Sequence, residues 1–395
     1  MHDGRCIAEA RTKSIASAQE SPSQEEVRMT ASEHSVMIMA GGTGGHVYPG
    51  LAVAEGLRAK GWDVAWIGTA RGLEARVVPA NQIALHTLKT LGLRGKGLTS
   101  KVKGIASLLW ACVQALALLL RHRPSMVIGF GGYAAGPAGA VARLLGIPLL
   151  IHEQNAVAGT TNRLLARQAA RVMAGFDGAF KADVDVAVTG NPLRGELCEV
   201  AEKAYPPTSF GTSRRLRIAI LGGSQGALAL NEGCPQALSQ LSADELACID
   251  IKHQCGLAHV DVTEEFWGRV AVNQYEVMPF VEDMAGLYHW ADLAICRAGA
   301  LTVSEVAVTG TPSLLVPLPQ AIDNHQMKNA EALMSAGGAS IVPQGDLASD
   351  AIPDFLTRIL TDAPILKQMS DAARAWSKPN ATQDVVAIAE EVACG

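Results

Sequence analysis

The most restrictive feature of the sequence is a pattern of strand, glycine loop and helix that occurs twice. The first copy is MIMAGGTGGHVYPGLAVAE, at Met37–Glu55, and the second is IAILGGSQGALALNE, at Ile218–Glu232. Their glycine pairs begin at Gly41 and Gly222, which lie 181 positions apart. That spacing is the length of a domain and exceeds the period of a solenoid repeat. We therefore expect two similar domains.

Short apolar runs alternate with helical patterns in both halves. The expected strands of the first half are Ser35–Ala40, Asp63–Gly68, Met126–Phe130, Pro148–Glu153 and Arg171–Gly175. Helices are expected between them, as at Leu51–Lys60 and Thr161–Ala170. The expected strands of the second half are YEVMPF, DLAICR, PSLLVP and ASIVP. Nearly continuous apolar runs are typical of parallel strands covered on both faces. The sequence thus predicts an α/β protein with two doubly wound Rossmann-like domains, which face each other across a cleft.

The segment Ser209–Arg217 is polar and unpatterned, and we interpret it as a linker between domains of residues 35–208 and 209–395. Residues 1–34 are rich in Ser, Glu, Gln and Arg, and we interpret them as a disordered extension or as the result of a start codon placed too far upstream. They contain no signal-peptide core, so secretion is not indicated. The net charge of −5 argues against a nucleic-acid partner. The eight cysteines form no CxxC pair, which indicates reduced thiols in a cytoplasmic protein.

The two glycine loops favour a phosphate-containing ligand. A helix N-terminus carries unpaired N–H groups and a partial positive charge, and glycine lets an anion approach them. The alternative is that these glycines only make tight turns. A dinucleotide fingerprint would need a third glycine where Val47 stands, and a P-loop would need Lys followed by Ser or Thr, which neither loop has.

Several longer strings resemble one family in the same order along the chain. The similarity covers about residues 35 to 385, and the strings are GGTGGHVYPGLAVAEGL, GFGGYAAGPAGAVA, HEQNAVAGTTNRLLAR, GNPLR, LGGSQGALALNE, PFVEDMAGLYHWADLAICRAGALTVSEVAVTGTPSLLVPLP and DNHQMKNAEAL. They resemble the MurG family, peripheral membrane glycosyltransferases that add N-acetylglucosamine (GlcNAc) to lipid I and so make lipid II for peptidoglycan. The resemblance implies the GT-B fold, with the active site between two Rossmann-like domains.

The resemblance places the donor, UDP-GlcNAc, mainly on the second domain. Ser224 would meet the diphosphate, Val281 would contact the uracil through its backbone, and Glu305 would accept both ribose hydroxyls, as a carboxylate with two acceptor oxygens can. Two amides, Asn155 and Gln326, would bind the sugar hydroxyls. In this sequence His325–Gln326, preceded by one extra residue, replaces the glutamine pair that is usual in the family. The remaining donor contacts would be Arg194, Ala300, Leu301, Thr302, Val303 and Ser304, with Thr43, Gly44 and Gly45 at the border with the acceptor.

On the first domain, the resemblance places the acceptor. Thr43, Gly44 and Gly45 would cradle the pyrophosphate of lipid I, and Tyr133 would help to place the acceptor unless it is simply a packing aromatic.

The resemblance implies a β-linked product from an α-linked donor, hence a single displacement. His46 is suited to take the proton of the acceptor C4 hydroxyl, since histidine titrates near neutrality. Its alternative role is to cap the helix or contact phosphate. Glu153 is the competing base, or else it orients other groups.

No cofactor and no metal are expected. The DVD string at Asp183–Asp185 has a spacing that some glycosyltransferases use for Mg²⁺ or Mn²⁺, but a solvated loop is the stronger interpretation of so short a match. Helix N-termini and Arg194 would then neutralise the leaving UDP.

A membrane surface is expected near Leu91–Trp110, where apolar residues interleave with Arg94, Lys96, Lys101 and Lys103. Such a surface suits an anionic cytoplasmic leaflet, although an ordinary helix with a solvated cationic face would show the same pattern. The longest apolar run, Ile105–Leu120, is shorter than the roughly 18–20 residues that span a bilayer and predicts a buried or interfacial helix. The expected location is therefore peripheral, on the cytoplasmic face of the bacterial inner membrane, with cell-wall synthesis proteins as possible partners.

Two other functions remain open at this point. A UDP-GlcNAc 2-epimerase shares the two-domain architecture and the donor, but it would need carboxylates around C2 and no lipid surface. A nucleotide-sugar sensor without catalytic activity would need only the donor site. Release of UDP that depends on a lipid I analogue separates these three functions.

Overall fold

The protein is described here from a computed structural model, in which the described residues are 34–89, 98–206, 208–223 and 226–394. In these residues, the first half forms a seven-stranded parallel sheet with the strand order β3-β2-β1-β4-β5-β6-β7. Its strands are β1 Ser35–Ala40, β2 Asp63–Gly68, β3 Ala84–Thr87, β4 Met126–Gly131, β5 Leu149–Glu153, β6 Arg171–Ala174 and β7 Ala187–Val188.

The second half forms its own parallel sheet, which has six strands within the described residues, in the order β10-β9-β8-β11-β12-β13. The strands are β8 Leu216–Leu221, β9 Ile249–Gln254, β10 Gln274–Met278, β11 Leu293–Cys296, β12 Ser313–Leu315 and β13 Ala339–Ile341. Two parallel sheets with helices on their faces confirm the predicted doubly wound architecture.

Helices follow nearly every strand and cover both faces of the two sheets. In the first half they are α1 Gly44–Ala59, α2 Glu74–Ala80, α3 Leu98–His122, α4 Ala135–Leu144, α5 Thr160–Ala166 and α6 Gly195–Cys198. In the second half they are α7 Leu228–Leu238, α8 Ala243–Leu246, α9 Val260–Trp267, α10 Met284–Trp290, α11 Ala300–Val308, α12 His325–Ser335, α13 Ala351–Thr361, α14 Pro364–Trp376 and α15 Ala381–Cys394. The helix predicted over Leu51–Lys60 begins seven residues earlier, at Gly44 within the glycine loop.

The last helix in the described residues, α15, packs against the first half. Its buried side chains Val385, Val386 and Ala389 belong to the same hydrophobic cluster as the side chains of β1, β2 and α1. At Gly56 of α1 an added Cβ would lie 2.8 Å from a methyl carbon of Val386, so the absence of a side chain there permits the close approach. The first core is therefore built from both ends of the described chain.

The predicted linker contains one structured turn. Gly211 and Arg214 form an isolated antiparallel bridge, and Arg214 binds the buried carboxylate of Asp292 through both of its terminal nitrogens, at 2.6 and 2.8 Å. The strand β8 begins at Leu216, inside the predicted linker Ser209–Arg217. The ion pair fixes the start of the second sheet, because Asp292 also accepts a hydrogen bond from the backbone N of Arg217.

Helix α3 has two apolar faces. One face packs on α4 through a stripe of small residues and leucine, Ser107, Ala111, Ala115 and Leu119. The other face carries Ile105, Leu109, Trp110 and Val113, each more than half exposed. Twenty residues of this helix, Lys103–His122, are long and apolar enough to cross a membrane by length and composition, so the shortness argument from Ile105–Leu120 was wrong.

Candidate active site

The first glycine loop lies between β1 and α1 and is held from behind by a buried carboxylate. Glu74 is fully buried, and its Oε2 accepts a hydrogen bond from the backbone N of Gly42 at 2.9 Å. Its Oε1 accepts from the backbone N and the hydroxyl of Thr69, at 2.9 and 2.7 Å. A Cβ at Gly41 would lie 2.6 Å from the same carboxylate. Glu74 therefore ties this loop to the segment after β2, and Thr43 at the tip of the loop is exposed.

A second glycine turn, at the end of β4, lies against this loop. Gly132 has a φ of +85°, and a Cβ on it would lie 2.4 Å from the carbonyl oxygen of Gly41. Only glycine allows this approach, because the conformation and the space both exclude a side chain. Tyr133 follows, and its side chain is 36% exposed. The two turns place Thr43, Gly44, Gly45 and Tyr133 at one edge of the sheet, where the N-terminus of α1 opens to solvent.

His46, in the first turn of α1, belongs to a chain of hydrogen bonds. Its Nδ1 lies 2.8 Å from Oε1 of Gln154. The Nε2 of Gln154 lies 3.1 Å from Nδ1 of His152 and 2.9 Å from the carbonyl oxygen of His152. The Nε2 of His152 lies 2.9 Å from the carbonyl oxygen of Gly190. His152 is fully buried, and this desolvation lowers its pKa to about 4 despite the Gly190 hydrogen bond and the Glu153 charge.

Glu153 is buried, and its two oxygens have four donors. Oε1 accepts from the backbone N and the side-chain amide of Asn155, at 2.9 and 3.2 Å. Oε2 accepts from the backbone N of Gly159 at 3.0 Å and from the amide of Asn162 at 2.9 Å. Because the four donors occupy the acceptor positions of the Glu153 carboxylate, this side chain is suited to fixing the loop between β5 and α5.

Asn155 lies where the two halves of the chain meet. The fully buried Asn329, on α12, donates through its Nδ2 to Oδ1 of Asn155 at 3.2 Å and to the carbonyl oxygen of Ala298 at 3.1 Å. Its Oδ1 accepts from the backbone N of Ala156 at 2.8 Å. One buried amide therefore links the loop after β5 to the second sheet and brings Asn155 close to the helix that carries Gln326.

In the second half of the chain, Glu305 of α11 is half-buried. The hydroxyl of the fully buried Tyr288 donates to its Oε2 at 3.0 Å. Burial raises the pKa of Glu305 to about 7, although the hydrogen bond from Tyr288 and the charge of Arg194 oppose that rise. Arg194 is also 2.9 Å from a carboxylate oxygen of Glu196.

The rest of the predicted α11 segment divides into two faces. Leu301, Thr302 and Ser304 share the partly exposed face with Glu305, whereas Ala300 and Val303 are buried in the second core. Contact of Val303 with a nucleotide would therefore have to use its backbone. Asn191, in the GNPLR string, donates to the Ser304 hydroxyl at 2.9 Å and to the carbonyl oxygen of Gln154 at 3.0 Å.

The second glycine loop follows β8 and is held by a glutamine. Gln254, at the end of β9, accepts from the backbone N of Gly223 at 3.1 Å and donates to the carbonyl oxygens of Gly223 and Pro279, each at 3.1 Å. It thus ties the loop to the segment that carries the half-buried Val281. Ser224 lies outside the described residues.

The segment before Gln326 contains two consecutive left-handed residues. Asp323 and Asn324 have φ values of +52° and +54°, and α12 starts directly afterwards with His325. Gln326 accepts a hydrogen bond from the backbone N of Leu318 at 2.9 Å, which orients its amide. Asp323 lies 3.5 Å from Arg163 on α5, in a solvent-exposed ion pair between the two halves.

Asp183 and Asp185 lie in an exposed turn before β7. Asp183 pairs with Arg167, and this hydrogen bond and charge lower its pKa. Within the described residues, no group of three or more His, Cys, Asp or Glu side chains is placed to hold a metal ion.

Several residues of the site were not singled out from the sequence. They are Glu74, His152, Gln154, Asn191, Gln254, Tyr288 and Asn329. His152 and Gln154 lie in the HEQN string and Asn191 lies in the GNPLR string. Both strings were recognised from the sequence, but these three residues were given no role. Glu74 and Gln254 carry no local signal, because the loop glycines that they bind, Gly42 and Gly223, are 32 and 31 positions away.

Two Rossmann-like parallel sheets in one chain, each with a glycine loop between a buried strand and the next helix, match the GT-B class of glycosyltransferases. Two family patterns match the chain, the glycosyltransferase family 28 N-terminal domain at residues 36–174 and the C-terminal domain at residues 217–387. The chain therefore belongs to glycosyltransferase family 28.

Named relatives and one solved structure show which members of the family this chain resembles. A relative from Pseudomonas paraeruginosa is 48% identical over 361 residues, covering 91% of this chain and 99% of its own, and one from Tolumonas auensis is 44% identical over 352 residues, covering 89% and 97%. Both are named UDP-N-acetylglucosamine--N-acetylmuramyl-(pentapeptide) pyrophosphoryl-undecaprenol N-acetylglucosamine transferase. The crystal structure of Acinetobacter baumannii MurG is similar with a TM-score of 0.74 and 41% identity, over 91% of this chain and 99% of that one. The resemblance to the MurG family, the GT-B fold and the hexosyltransferase class of enzyme are confirmed.

Proposed function

We propose that this enzyme transfers GlcNAc from UDP-GlcNAc to the C4 hydroxyl of MurNAc in lipid I, with inversion, to form lipid II. The names of the relatives support the substrates and the acceptor. The observation that carries the mechanism is the position of His46. It stands in the first turn of α1 beside the glycine loop, and its Nε2 has no partner among the described residues.

In the proposed step, Nε2 of His46 takes the proton of the C4 hydroxyl as the oxygen attacks C1 of GlcNAc. The bond between C1 and the β-phosphate oxygen breaks, and its electron pair leaves with UDP. One displacement inverts C1, so an α-linked donor gives a β-linked product. A positioned general base of this kind contributes about 10²–10⁴-fold to a rate.

The donor is proposed to lie on the second half of the chain. Glu305 has one oxygen bound to Tyr288, which leaves acceptor capacity for the ribose diol. Arg194 is close enough to lower the pKa of Glu305 and would offset charge on the leaving UDP. Asn155 and Gln326, both held in place by hydrogen bonds, would contact the GlcNAc hydroxyls, and no metal is needed in this arrangement.

The acceptor is proposed to lie on the first half. The N-terminus of α1 at Thr43, Gly44 and Gly45 would bind the pyrophosphate of lipid I, because helix N–H groups and the helix dipole favour an anion. The hydrogen bond from the backbone N of Gly42 to Glu74 orients the loop at this helix N-terminus. Tyr133 is exposed beside the loop, where it can contact a sugar or a lipid phosphate.

Of the two bases predicted from the sequence, His46 is favoured over Glu153. The four donors to the carboxylate of Glu153 would have to be displaced before it could take a proton from substrate. His46 needs no such rearrangement. Glu153 is therefore proposed to fix the loop that carries Gln154 and Asn155.

Release of UDP from UDP-GlcNAc tests the proposal. We expect release to require a lipid I analogue and to yield a disaccharide product detectable by mass spectrometry. An epimerase would convert UDP-GlcNAc in the absence of that analogue, and a sensor would bind the donor without release. Either result would reject the transferase reaction.

The enzyme is further proposed to bind the cytoplasmic face of the inner membrane through α3. The exposed Ile105, Leu109, Trp110 and Val113 form an apolar surface, and Lys103 next to them is exposed. The opposite face of α3 is packed on α4 in the core, which favours a helix lying in the interface over one that spans the bilayer. Of the predicted basic cluster, Arg94 and Lys96 lie outside the described residues.

A further inference from the structure

We infer that Gln154 is a positioning residue that holds His46 in the Nδ1–H tautomer, leaving Nε2 as the proton acceptor. The inference rests on the proposed function of His46 as the base. In that proposal Gln154 touches neither sugar nor phosphate. It is a neutral residue that determines which imidazole nitrogen of His46 accepts the proton.

The orientation of the Gln154 amide follows from its neighbours. One end of the amide lies 2.9 Å from the carbonyl oxygen of His152, which can only accept a hydrogen bond. That end must be the NH₂ group. The other end, which faces Nδ1 of His46 at 2.8 Å, is then the oxygen, which can only accept. His46 must therefore carry a proton on Nδ1.

The same chain of bonds fixes His152 in the opposite tautomer. Its Nε2 faces the carbonyl oxygen of Gly190 and must be protonated, and its Nδ1 accepts from Gln154 at 3.1 Å. Burial keeps His152 neutral, since its pKa is lowered to about 4. Donors and acceptors alternate without conflict from Gly190 to His46, so reversing Gln154 would break two of these hydrogen bonds at a buried position.

The tautomer matters because the two imidazole nitrogens are different atoms in space. A neutral histidine can accept a proton only on the nitrogen that lacks one, and the hydrogen bond at the other nitrogen decides which that is. Neutral histidine in water favours the Nε2–H form, which would leave no acceptor facing substrate. Gln154 does for His46 what the aspartate of a serine-protease triad does for its histidine, but without adding a charge.

The tautomer is measured directly with two-bond ¹H–¹⁵N NMR on enzyme labelled with [¹⁵N]histidine. The His46 signals are assigned by their loss in His46→Gln. We expect a protonated Nδ1 and an unprotonated Nε2 in the wild type. His253 is an internal reference, because Trp267 donates to its Nδ1 at 2.9 Å and its Nε2 faces Asn231, so its tautomer is Nε2–H and should not change.

Two substitutions separate positioning from folding. Gln154→Leu keeps the side-chain size but removes the acceptor, and we expect His46 to shift toward Nε2–H, with kcat lower by about 10- to 100-fold and donor affinity unchanged. Gln154→Glu presents an oxygen to His46 whether or not it is protonated, so the Nδ1–H tautomer should persist and part of kcat should return.

An Nε2–H form of His46 in the wild type, or an unchanged tautomer in Gln154→Leu, would overturn the inference even if one variant folds poorly. Failure of the proposed base is a separate result. It would appear as near-normal kcat in His46→Gln, whatever tautomer the wild type shows.

Discussion

The pKa of Glu305 gives a donor affinity that depends on pH. If the ribose diol binds the carboxylate form, donor binding must displace the proton that the free enzyme holds. With a pKa of about 7, about a tenth of the carboxyl groups are ionised at pH 6 and about nine-tenths at pH 8. The apparent affinity should therefore rise about tenfold between these values, which is about 1.4 kcal/mol.

Isothermal titration with UDP-GlcNAc is the suitable assay, because the diphosphate diester of this donor does not titrate near neutrality. Titrations at pH 7 in buffers of different ionisation enthalpy should show release of about half a proton per donor bound, the fraction of the carboxyl groups still protonated at that pH. Glu305→Gln should remove the pH dependence and the proton release, and Glu305→Ala should weaken binding at pH 8 by about 1–3 kcal/mol.

Tyr288→Phe is a matched variant for the same reasoning. It removes the hydrogen bond that favours the carboxylate, so the midpoint of the pH dependence should move upward while the diol contact is kept. A flat affinity from pH 6 to pH 8 in the wild type, or the same slope in Glu305→Gln, would refute the assignment of Glu305 to the ribose.

Four further outcomes are expected. His46→Ala should lower kcat by about 10²–10⁴-fold with donor affinity nearly unchanged, and a rise in acceptor KM alone would instead indicate a phosphate contact. Asn329→Ala should lower the free energy of unfolding in urea by about 1–3 kcal/mol, and no loss would mean that its bonds across the cleft are replaced by water. EDTA should leave turnover intact, whereas loss restored by Mg²⁺ would bring Asp183 and Asp185 back into consideration. Binding to anionic vesicles should weaken, by about 1 kcal/mol per basic residue, when glutamate replaces Arg94, Lys96, Lys101 and Lys103, and unaltered binding would place the membrane surface elsewhere. The control is Leu257→Ser, at an exposed apolar residue of the second half, which should leave vesicle binding unchanged.

The architecture was predictable because parallel strands that are buried on both faces have apolar residues at nearly every position. β1 and β2 were predicted with the observed bounds, Ser35–Ala40 and Asp63–Gly68. β9, IDIKHQ, was not singled out because its polar residues interrupt the run. His253 and Gln254, two of those residues, are buried and satisfied by partners elsewhere in the chain.

The site was predictable only in part, for the same physical reason. Glycine loops are local, so His46 and its neighbours could be located from the sequence alone. The groups that fix them act across space: Glu74 reaches Gly42, Gln154 reaches His46, and Asn329 reaches Asn155. Such pairs leave no periodicity, because they depend on which strands become neighbours in the sheet.

The return of α15 to the first sheet has a consequence for synthesis on the ribosome. Val385, Val386 and Ala389 complete the packing around α1, and they are made more than 300 residues after it. Until they emerge, the nascent first half exposes an apolar groove over Leu57 and its neighbours, and closing it requires contacts between the most distant described parts of the chain. The helix that carries His46 should therefore gain its full protection from hydrogen exchange only after α15 has been synthesised and has packed against α1.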